Sequence, residues 1–394
     1  MSISFHTSYE RLEQLQISRM SLDRMRQANY YLKDYIGEAL GRHPSLESIF
    51  QVTKADIDRL SADEVALRSL MGTPYLVVSP TLTDVEDWKS LSTGGTSTVA
   101  VDRLRREAPR LSDLDKLSLF YNNRLYLWLV VEVLHASVIA APLLGISLDL
   151  ANYLRSVPQH SLDLMIGKLE FPIFRWRLAS KLFWLELSDG NRSEEAFGHF
   201  FLASTPNKAN RLDKKAPWTG LALPRHRIKI YSEIMIQQKC RASTVSSLLG
   251  IKSPETRGLY KEFHGESSPC GQMPNSINWF FTSPNHRLQG TMMVTLYRLA
   301  LANDCNVPEA FIAAFDAVTN FFGSELKLTA DRACHLARSM GTDAHLSLSP
   351  CRSCGTPYLI SVAGARPQLS GSFACPSCSG AFGTSQSIKK RRKR

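Results

Sequence analysis

The chain has 394 residues, 44% of them hydrophobic, which is enough for about two to four domains with separate buried cores. Its net charge of +11 is unevenly distributed, because residues 1–200 contain 22 Lys and Arg against 25 Asp and Glu, whereas residues 201–394 contain 25 against 11. No apolar run reaches membrane-spanning length, and no Gly-rich phosphate loop or open three-ligand metal site is found, so the sequence indicates neither a membrane protein nor an enzyme.

Residues 1–95 and 96–202 share one predicted pattern. Each begins with a long helix, followed by a short break, two shorter helices and an extended segment interrupted by proline. The pattern predicts a degenerate tandem repeat, although helix-rich segments can also match by chance. The residues that we align are Tyr31 and Leu32 with Tyr126 and Leu127, Val52 with Ile146, Leu60 with Leu154, Leu70 with Leu164, and Pro74 with Pro172.

Residues 203–225 are a predicted linker with several basic side chains, namely Lys208, Arg211, Lys214, Lys215 and Arg225. The sequence after the linker predicts a helix-turn-helix within a helical domain over residues 226–345. Residues 243–249 form its first short helix, Gly250 supplies the turn, and Ser253 with Pro254 begins the second helix. We expect Thr256, Arg257, Tyr260 and Lys261 to point outward from that helix, where they could enter a DNA groove. An ordinary helical hairpin fits the same residues.

Two amphipathic helices follow, and their aromatic residues recur at the spacing of a buried face. We therefore expect Trp279, Phe280, Phe311, Phe315 and Phe321 to be core residues and not a platform for stacked bases.

The strongest motif is a pair of Cys-x-x-Cys sequences, Cys351/Cys354 and Cys375/Cys378, separated by 20 residues. Four thiolates at this spacing complete the tetrahedral shell of a structural zinc, so residues 346–386 are predicted to be a zinc ribbon that holds one Zn²⁺ ion. The alternative is two disulfides or four free thiols. We disfavour it because no secretory leader is expected and the cytosol keeps thiols reduced.

The last residues, 387–394, form a basic tail that includes Lys389, Lys390, Arg391 and Arg392. A basic half with a zinc ribbon is typical of a nucleic-acid contact surface. A solvated tail without a specific partner has the same composition.

Several motifs in the second half occur in a familiar order: TRGLYKEFHGESSP, MPNSINWFFTS, the first Cys-x-x-Cys and then GSFACPSC with the basic tail. Over residues 226–394 this order resembles FlhC of the FlhD–FlhC flagellar activator family. Residues 120–180 are similar to its partner FlhD, and residues 25–80 resemble FlhD more faintly. The implied fold is mainly α, with two FlhD-like helical modules followed by a FlhC-like helical domain and a C-terminal zinc ribbon with four cysteine ligands.

The resemblance implies a cytoplasmic bacterial transcriptional activator that binds promoter DNA, recruits RNA polymerase and catalyses no reaction. Those family subunits assemble as four FlhD and two FlhC, so two copies of this chain would mimic the whole assembly as a homodimer. Two alternatives remain: an antagonist that mixes with a host FlhD–FlhC complex, and a zinc-ribbon protein that binds RNA. The DNA-binding candidates are Arg241, Lys252, Arg257, Lys261, Arg352, Lys389, Lys390, Arg391 and Arg392.

Overall fold

The computed structural model describes residues 11–206, 218, 221, 223–272, 276–343, 345–362 and 368–382. The chain is mainly α-helical and divides into two compact units. We call Ile17–Asn207 the N-terminal unit, and Lys208–Arg394 together with Met1–Gln16 the C-terminal unit. Across the described ranges, every helix is too short or too polar to cross a lipid bilayer.

The N-terminal unit contains the same run of elements twice. Repeat 1 comprises α1 (Arg19–Arg42), α2 (Glu47–Phe50), α3 (Lys54–Ala62), α4 (Glu64–Met71), β1 (Val78–Pro80), α5 (Val85–Thr93) and α6 (Val99–Glu107). Repeat 2 comprises α7 (Asp113–Ala136), α8 (Ala140–Leu144), α9 (Leu148–Ser156), α10 (Gln159–Ile166), β2 (Phe174–Trp176), α11 (Lys181–Ser188) and α12 (Glu194–Ser204). Repeat 1 thus ends with α6, whereas the predicted module boundary lies between residues 95 and 96.

The long helices α1 and α7 are equivalent in length and in the way they begin. Both have 24 residues, and each starts after a serine whose hydroxyl oxygen accepts a backbone N–H. Ser18 accepts from Ser21, and Ser112 accepts from Asp115. The two helices therefore correspond residue for residue, with a constant offset of 94 between 19 and 113.

A buried asparagine in each long helix fixes the extended segment of its own repeat. Asn29 donates to the carbonyl of Tyr75 at 3.0 Å and accepts from the N–H of Val77 at 2.9 Å. Asn123, at the equivalent position, donates to Phe171 and accepts from Ile173, both at 3.1 Å. Because each amide both donates to a carbonyl and accepts from an N–H of the segment, the segment cannot shift without leaving buried polar groups unpaired.

The strands β1 and β2 join the two repeats as an antiparallel pair. Val78 lies opposite Trp176, Ser79 opposite Arg175, and Pro80 opposite Phe174. Since the strand bounds differ by 96, Ser79 and Arg175 are equivalent positions that face each other. The two repeats are thus related by a local pseudo-twofold axis at this pair.

The structure confirms part of the predicted alignment and corrects the rest. Val52 and Ile146 correspond, as do Leu60 and Leu154, because α3 and α9 keep the offset of 94. Two later insertions in repeat 2 change the offset, so Leu70 corresponds to Met165, whereas Leu164 is 65% exposed, and Pro74 corresponds to Glu170. The alignment of Tyr31 and Leu32 is wrong by one residue, because the buried asparagines match them with Leu125 and Tyr126.

The C-terminal unit begins with α13 (Arg225–Gln237), α14 (Ala242–Leu249) and α15 (Ser253–His264), followed by α16 (Pro284–Ala302), α17 (Val307–Phe322) and α18 (Ala330–Thr342). Helices α16, α17 and α18 pack against one another around apolar side chains. Gly290 of α16 permits close packing of Phe280, because a Cβ atom there would lie 2.6 Å from the Phe280 ring.

Helices α13, α14 and α15 form the predicted helix-turn-helix, and Gly250 between α14 and α15 has a left-handed φ of 67°. Two expected surface residues are buried instead: Thr256 and Tyr260 are 1% and 4% exposed. They lie on the inner face of α15 because this helix packs on both α13 and α14. Ser253 is the first helical residue and not the cap, which is Lys252.

The strands β3 (Leu346–Pro350) and β4 (Pro357–Ser361) of the ribbon form an antiparallel hairpin. Leu346 lies opposite Ser361, and Pro350 lies opposite Pro357. The first cysteine pair therefore occupies the turn of this hairpin.

Candidate metal centre and nucleic-acid interface

The four predicted zinc ligands come together in the structure. The Sγ atoms of Cys351, Cys354, Cys375 and Cys378 all lie within 4.8 Å of one another, and those of Cys354 and Cys375 are 3.7 Å apart. Tetrahedral coordination with metal–sulfur bonds of about 2.3 Å would place the sulfurs about 3.8 Å apart. The cluster is therefore the right size to hold a metal ion with four thiolates.

Two similar turns position the thiols. Gly355 follows the first pair and Gly380 the second, and both have φ of 73°, a conformation that costs glycine little. The Gly355 N–H donates to the carbonyl of Cys351 at 2.8 Å, and the Gly380 N–H donates to that of Ser377 at 2.9 Å. Arg352 N–H donates to the carbonyl of Phe373 at 2.9 Å and so joins the two turns.

Backbone N–H groups point at two of the sulfurs. Cys351 Sγ accepts from Cys375 at 3.2 Å and from Ser353 at 3.4 Å, and Cys375 Sγ accepts from Cys378 at 3.4 Å. Such donors stabilise thiolates around a metal and orient them. The hydrogen bonds thus favour the charged form that a metal ligand needs.

Without a cation, burial and contact with Cys354 raise the pKa of two of the four thiols. Burial and the nearby Cys354 raise the pKa of Cys378 to about 12, and the hydrogen bond with Cys354 and burial raise the pKa of Cys375 further. For Cys351, burial raises the pKa, but its three backbone hydrogen bonds outweigh burial and lower it. A divalent cation would reverse the balance, because its charge favours every thiolate in the cluster.

Helix α16 holds the ribbon hairpin through two side chains that the sequence did not reveal as important. The Nε of Arg287 donates to the carbonyl of Leu359 at 2.8 Å, and its guanidinium also pairs with the Gln368 side chain. The guanidinium lies 4.5 Å from the ring centre of Phe373, and Thr291 Oγ1 accepts the Leu359 N–H at 3.1 Å. These contacts give the ribbon a fixed orientation on α16. No sequence motif signalled them, because the partners lie about 70 residues apart.

Three of the predicted DNA-binding residues are exposed on or beside α15. Lys252 caps the start of the helix, and Arg257 and Lys261 follow on its outer surface. Arg257 and Lys261 are four residues apart and therefore share one helix face. The structure thus brings together a basic, solvent-accessible edge on the second helix of the helix-turn-helix.

Arg241 differs from these three residues because it is engaged inside the unit. Its Nε lies 3.2 Å from a carboxylate oxygen of Asp331, and its backbone N–H donates to the same carboxylate at 3.1 Å. Thr244 also donates to Asp331, at 2.6 Å. These contacts join the start of α14 to α18, which gives Arg241 a structural role in holding the helix-turn-helix in place.

The remaining candidates lie in and after the ribbon. Arg352 is exposed on the first cysteine turn. Lys389, Lys390, Arg391 and Arg392 lie outside the described residues, as do Lys208, Arg211, Lys214 and Lys215 of the linker.

Trp279 departs from the expectation of a core position, because it is only partly buried. Its ring is stacked on His286 at 3.8 Å, and the guanidinium of Arg332 lies 4.6 Å from its ring centre. The indole is therefore engaged by a stacked imidazole and a guanidinium of its own unit. Phe280, Phe311, Phe315 and Phe321 are buried as predicted.

Comparison with known proteins assigns the second half of the chain. Residues 227–393 match the family described as "Flagellar transcriptional activator (FlhC)". A flagellar transcriptional regulator FlhC from Yersinia enterocolitica is 30% identical over 139 residues, which cover 34% of this chain and 67% of that protein. Those from Cupriavidus metallidurans and Gallionella capsiferriformans are 26% identical over 149 residues and 25% identical over 157 residues. These cover 36% and 38% of this chain, and 67% and 82% of the relatives.

The helix-turn-helix, the cysteine cluster and the names of these relatives define a transcriptional regulator. The relatives are named as regulators and not as enzymes. This chain belongs to the FlhC family, through its C-terminal unit. The family match does not extend into the N-terminal unit, whose likeness to FlhD stays a prediction.

Proposed function

We propose that the chain is a sequence-specific DNA-binding transcriptional activator that recruits bacterial RNA polymerase to its promoters. The observation that carries the proposal is the exposed basic edge of α15, within a unit that belongs to a family of transcriptional regulators. Arg257 and Lys261 each follow a buried residue, Thr256 and Tyr260, by one position, so they lie about 100° around the helix from the inner face and stay exposed, and α15 can enter a major groove without loss of its packing. Arginine is the side chain that pairs best with guanine there, and lysine suits a phosphate.

In this proposal the bound metal is one structural Zn²⁺ ion. It supplies four strong bonds that hold the two cysteine turns together and leaves no open position for a substrate. Arg352 then lies at a defined place beside the duplex, where it neutralises a phosphate, and Lys389, Lys390, Arg391 and Arg392 of the basic tail supply further positive charge for phosphates.

The proposed assembly is a homodimer. If both repeats of the N-terminal unit act as FlhD-like modules, two chains supply the four FlhD-like and two FlhC-like parts of the family's assembly. Because the modules are covalently linked, only the association of the two chains depends on concentration. Sedimentation or light scattering of the zinc-loaded chain tests this, and a monomer at micromolar concentration would contradict it.

Arg257→Ala tests the DNA contact. If Arg257 reads a base, the substitution reduces the preference for specific over random duplex by about 1–3 kcal/mol in competition binding. An equal loss on both duplexes would assign Arg257 to phosphate positioning instead. Arg68→Ala is the matched control, since Arg68 is an exposed helical arginine in the N-terminal unit and should leave both affinities unchanged.

In vitro transcription tests activation. The purified chain with bacterial RNA polymerase should stimulate transcription from a promoter that it binds, without any added subunit. An antagonist would instead give no stimulation alone and would suppress a host FlhD–FlhC regulator. Preference for single-stranded RNA over duplex DNA would contradict the proposal.

A further inference from the structure

The interface between repeat 1 and repeat 2 is not symmetric, although its backbone nearly is. The pseudo-twofold axis at Ser79 and Arg175 creates two equivalent halves of the interface. Each half contains residues from both repeats, so the side chains in the two halves can be compared position by position.

One half is aromatic. Phe174 of repeat 2 packs against two rings of repeat 1, with ring centres 5.9 Å from Tyr35 and 6.0 Å from Phe50. Tyr126 of repeat 2 lies 5.3 Å from Phe174 and completes the cluster. All four side chains are buried, so the ring of Phe174 fills the space between the rings of repeat 1.

The other half has aliphatic residues at every one of these positions. The offsets of 94 and 96 match Tyr35 with Leu129, Phe50 with Leu144, Tyr126 with Leu32, and Phe174 with Val78. These four residues are also buried. Phe174 therefore packs against large residues of repeat 1, whereas its counterpart Val78 belongs to the half with Leu129 and Leu144 and lies opposite Trp176 in the strand pair.

Pairing of like repeats would break this match. Two copies of repeat 1 would place Val78 where Phe174 fits between Tyr35 and Phe50, which leaves a void in both halves. Two copies of repeat 2 would place Phe174 against Leu129 and Leu144 in both halves. Size-matched packing therefore favours the unlike pair.

An ion pair at one end of the long helices also favours pairing of the unlike repeats. Asp115 of repeat 2 lies 3.1 Å from Nε of Arg42 and 3.1 Å from Nε2 of His43, both of repeat 1. The equivalent positions are Ser21 for Asp115, Ala136 for Arg42 and Ser137 for His43. A pair of like repeats would therefore lack this contact altogether. Partly exposed ion pairs add little stability but contribute to the choice of partner.

We infer that this interface is built for the two unlike repeats and rejects pairing of either repeat with its own kind. Its proper partner is the other repeat of the same chain, and a separate protein that carries one such repeat finds no open pairing surface. This selectivity is a property of the N-terminal unit and does not rest on the proposed function. If the chain is an activator, the selectivity keeps it from exchanging modules with one-module relatives.

Cysteine cross-linking tests the inference in the full chain. Ser79→Cys and Arg175→Cys introduce thiols at directly opposed positions, whose spacing in an antiparallel pair suits a disulfide. A specific protease site beside the exposed Arg110, between the repeats, removes the covalent link after folding. Once the chain has been cut and incubated, a 79–175 disulfide reports unlike pairing, whereas 79–79 and 175–175 disulfides report like pairing.

The expected result is at least a tenfold excess of 79–175 product over the two like products combined. Equal amounts of unlike and combined like products, the statistical outcome, would overturn the inference. The parent chain, cut in the same way, controls for its eight natural cysteines. Native mass spectrometry of the cut parent needs no substitution, and there a free dimer of the first fragment would also overturn the inference.

Exchange of two side chains tests the cause. In a chain with Val78→Phe and Phe174→Val, the aromatic match exists between two copies of repeat 1 and the aliphatic match between two copies of repeat 2. The cut variant should therefore shift toward 79–79 and 175–175 products. If the ratio stays as in the parent, size matching is not the cause of the selectivity.

Discussion

The two units of this chain are stabilised in different ways. The N-terminal unit repeats one set of helices and a strand, with buried aromatic and aliphatic residues between the copies. The ribbon in the C-terminal unit has a short hairpin and four clustered thiols. Residues 1–200 are nearly neutral, whereas the basic excess lies in residues 201–394. A metal or charge change should therefore act on the C-terminal unit, and a packing change on the N-terminal unit.

The largest expected effect is on the metal centre. Cys375→Ser should reduce bound metal from about one ion per chain to none and unfold the ribbon, because a structural zinc contributes about 10–16 kcal/mol in small domains. Metal analysis and hydrogen exchange measure the result. The control is Cys270→Ser, which changes an exposed cysteine outside the cluster. Unchanged metal content in Cys375→Ser would refute the site, and loss of protection in α1 or α7 would refute the separation of the units.

The next effect concerns the packing between the repeats. Phe174→Ala should lower the free energy of unfolding of the N-terminal unit by about 3–5 kcal/mol, because it removes a fully buried ring. Denaturant unfolding followed by circular dichroism measures the loss. Leu164→Ala, at an exposed position of the same repeat, should cost less than about 0.5 kcal/mol. A change in metal content in Phe174→Ala would contradict the independence of the ribbon.

The buried asparagines test whether the repeats are equivalent. Asn29→Ala and Asn123→Ala should each cost about 1–3 kcal/mol, because each removes the acceptor of a buried N–H and a hydrogen bond to a buried carbonyl. Asn122→Ala, whose side chain donates only to a carbonyl in its own helix, should cost less. Thermal unfolding of the three variants gives the comparison. A cost for Asn122→Ala as large as for the other two would contradict the proposed role of the asparagines.

The smallest effect is on pH dependence. The hydroxyl of Ser112, with His43 and Arg42, lowers the pKa of Asp115 below its ordinary value of 3.8. A carboxylate with a lowered pKa stabilises the fold above its unfolded pKa, and this contribution is lost as the pH falls through the folded pKa. Asp115→Asn should therefore lower the melting temperature slightly at pH 6 and have no effect near pH 2. An equal decrease at both pH values would show that charge is not responsible.

The sequence predicts local chemistry better than it predicts long-range contacts. The cysteine spacing was sufficient to predict the cysteine cluster, because the two thiols of each pair lie in one tight turn. The helix-turn-helix could be predicted as well, since Gly250 ends its first helix and Pro254 lies in the first turn of its second helix. The exposed residues of the second helix were harder to predict. Thr256 and Tyr260, which we expected at the surface, are buried because α15 packs on two other helices.

Contacts between distant residues could not be predicted. Arg241 looked like a free basic residue, but Asp331, its partner, lies 90 residues further along the chain. The contact of Arg287 with the ribbon could not be predicted for the same reason, because its partner Leu359 lies 72 residues further along the chain. The register of the repeats was also out of reach in detail, because it depends on the helix bounds and on the hydrogen bonds of Asn29 and Asn123 with residues about 50 positions further along the chain.

The most direct test of DNA recognition is selection from a pool of random duplexes with the purified, zinc-loaded chain. If the exposed edge of α15 reads bases, a defined sequence should be enriched, and Arg257→Ala should weaken that enrichment while Arg68→Ala leaves it unchanged. Recovery of random duplexes without an enriched sequence would contradict sequence-specific binding.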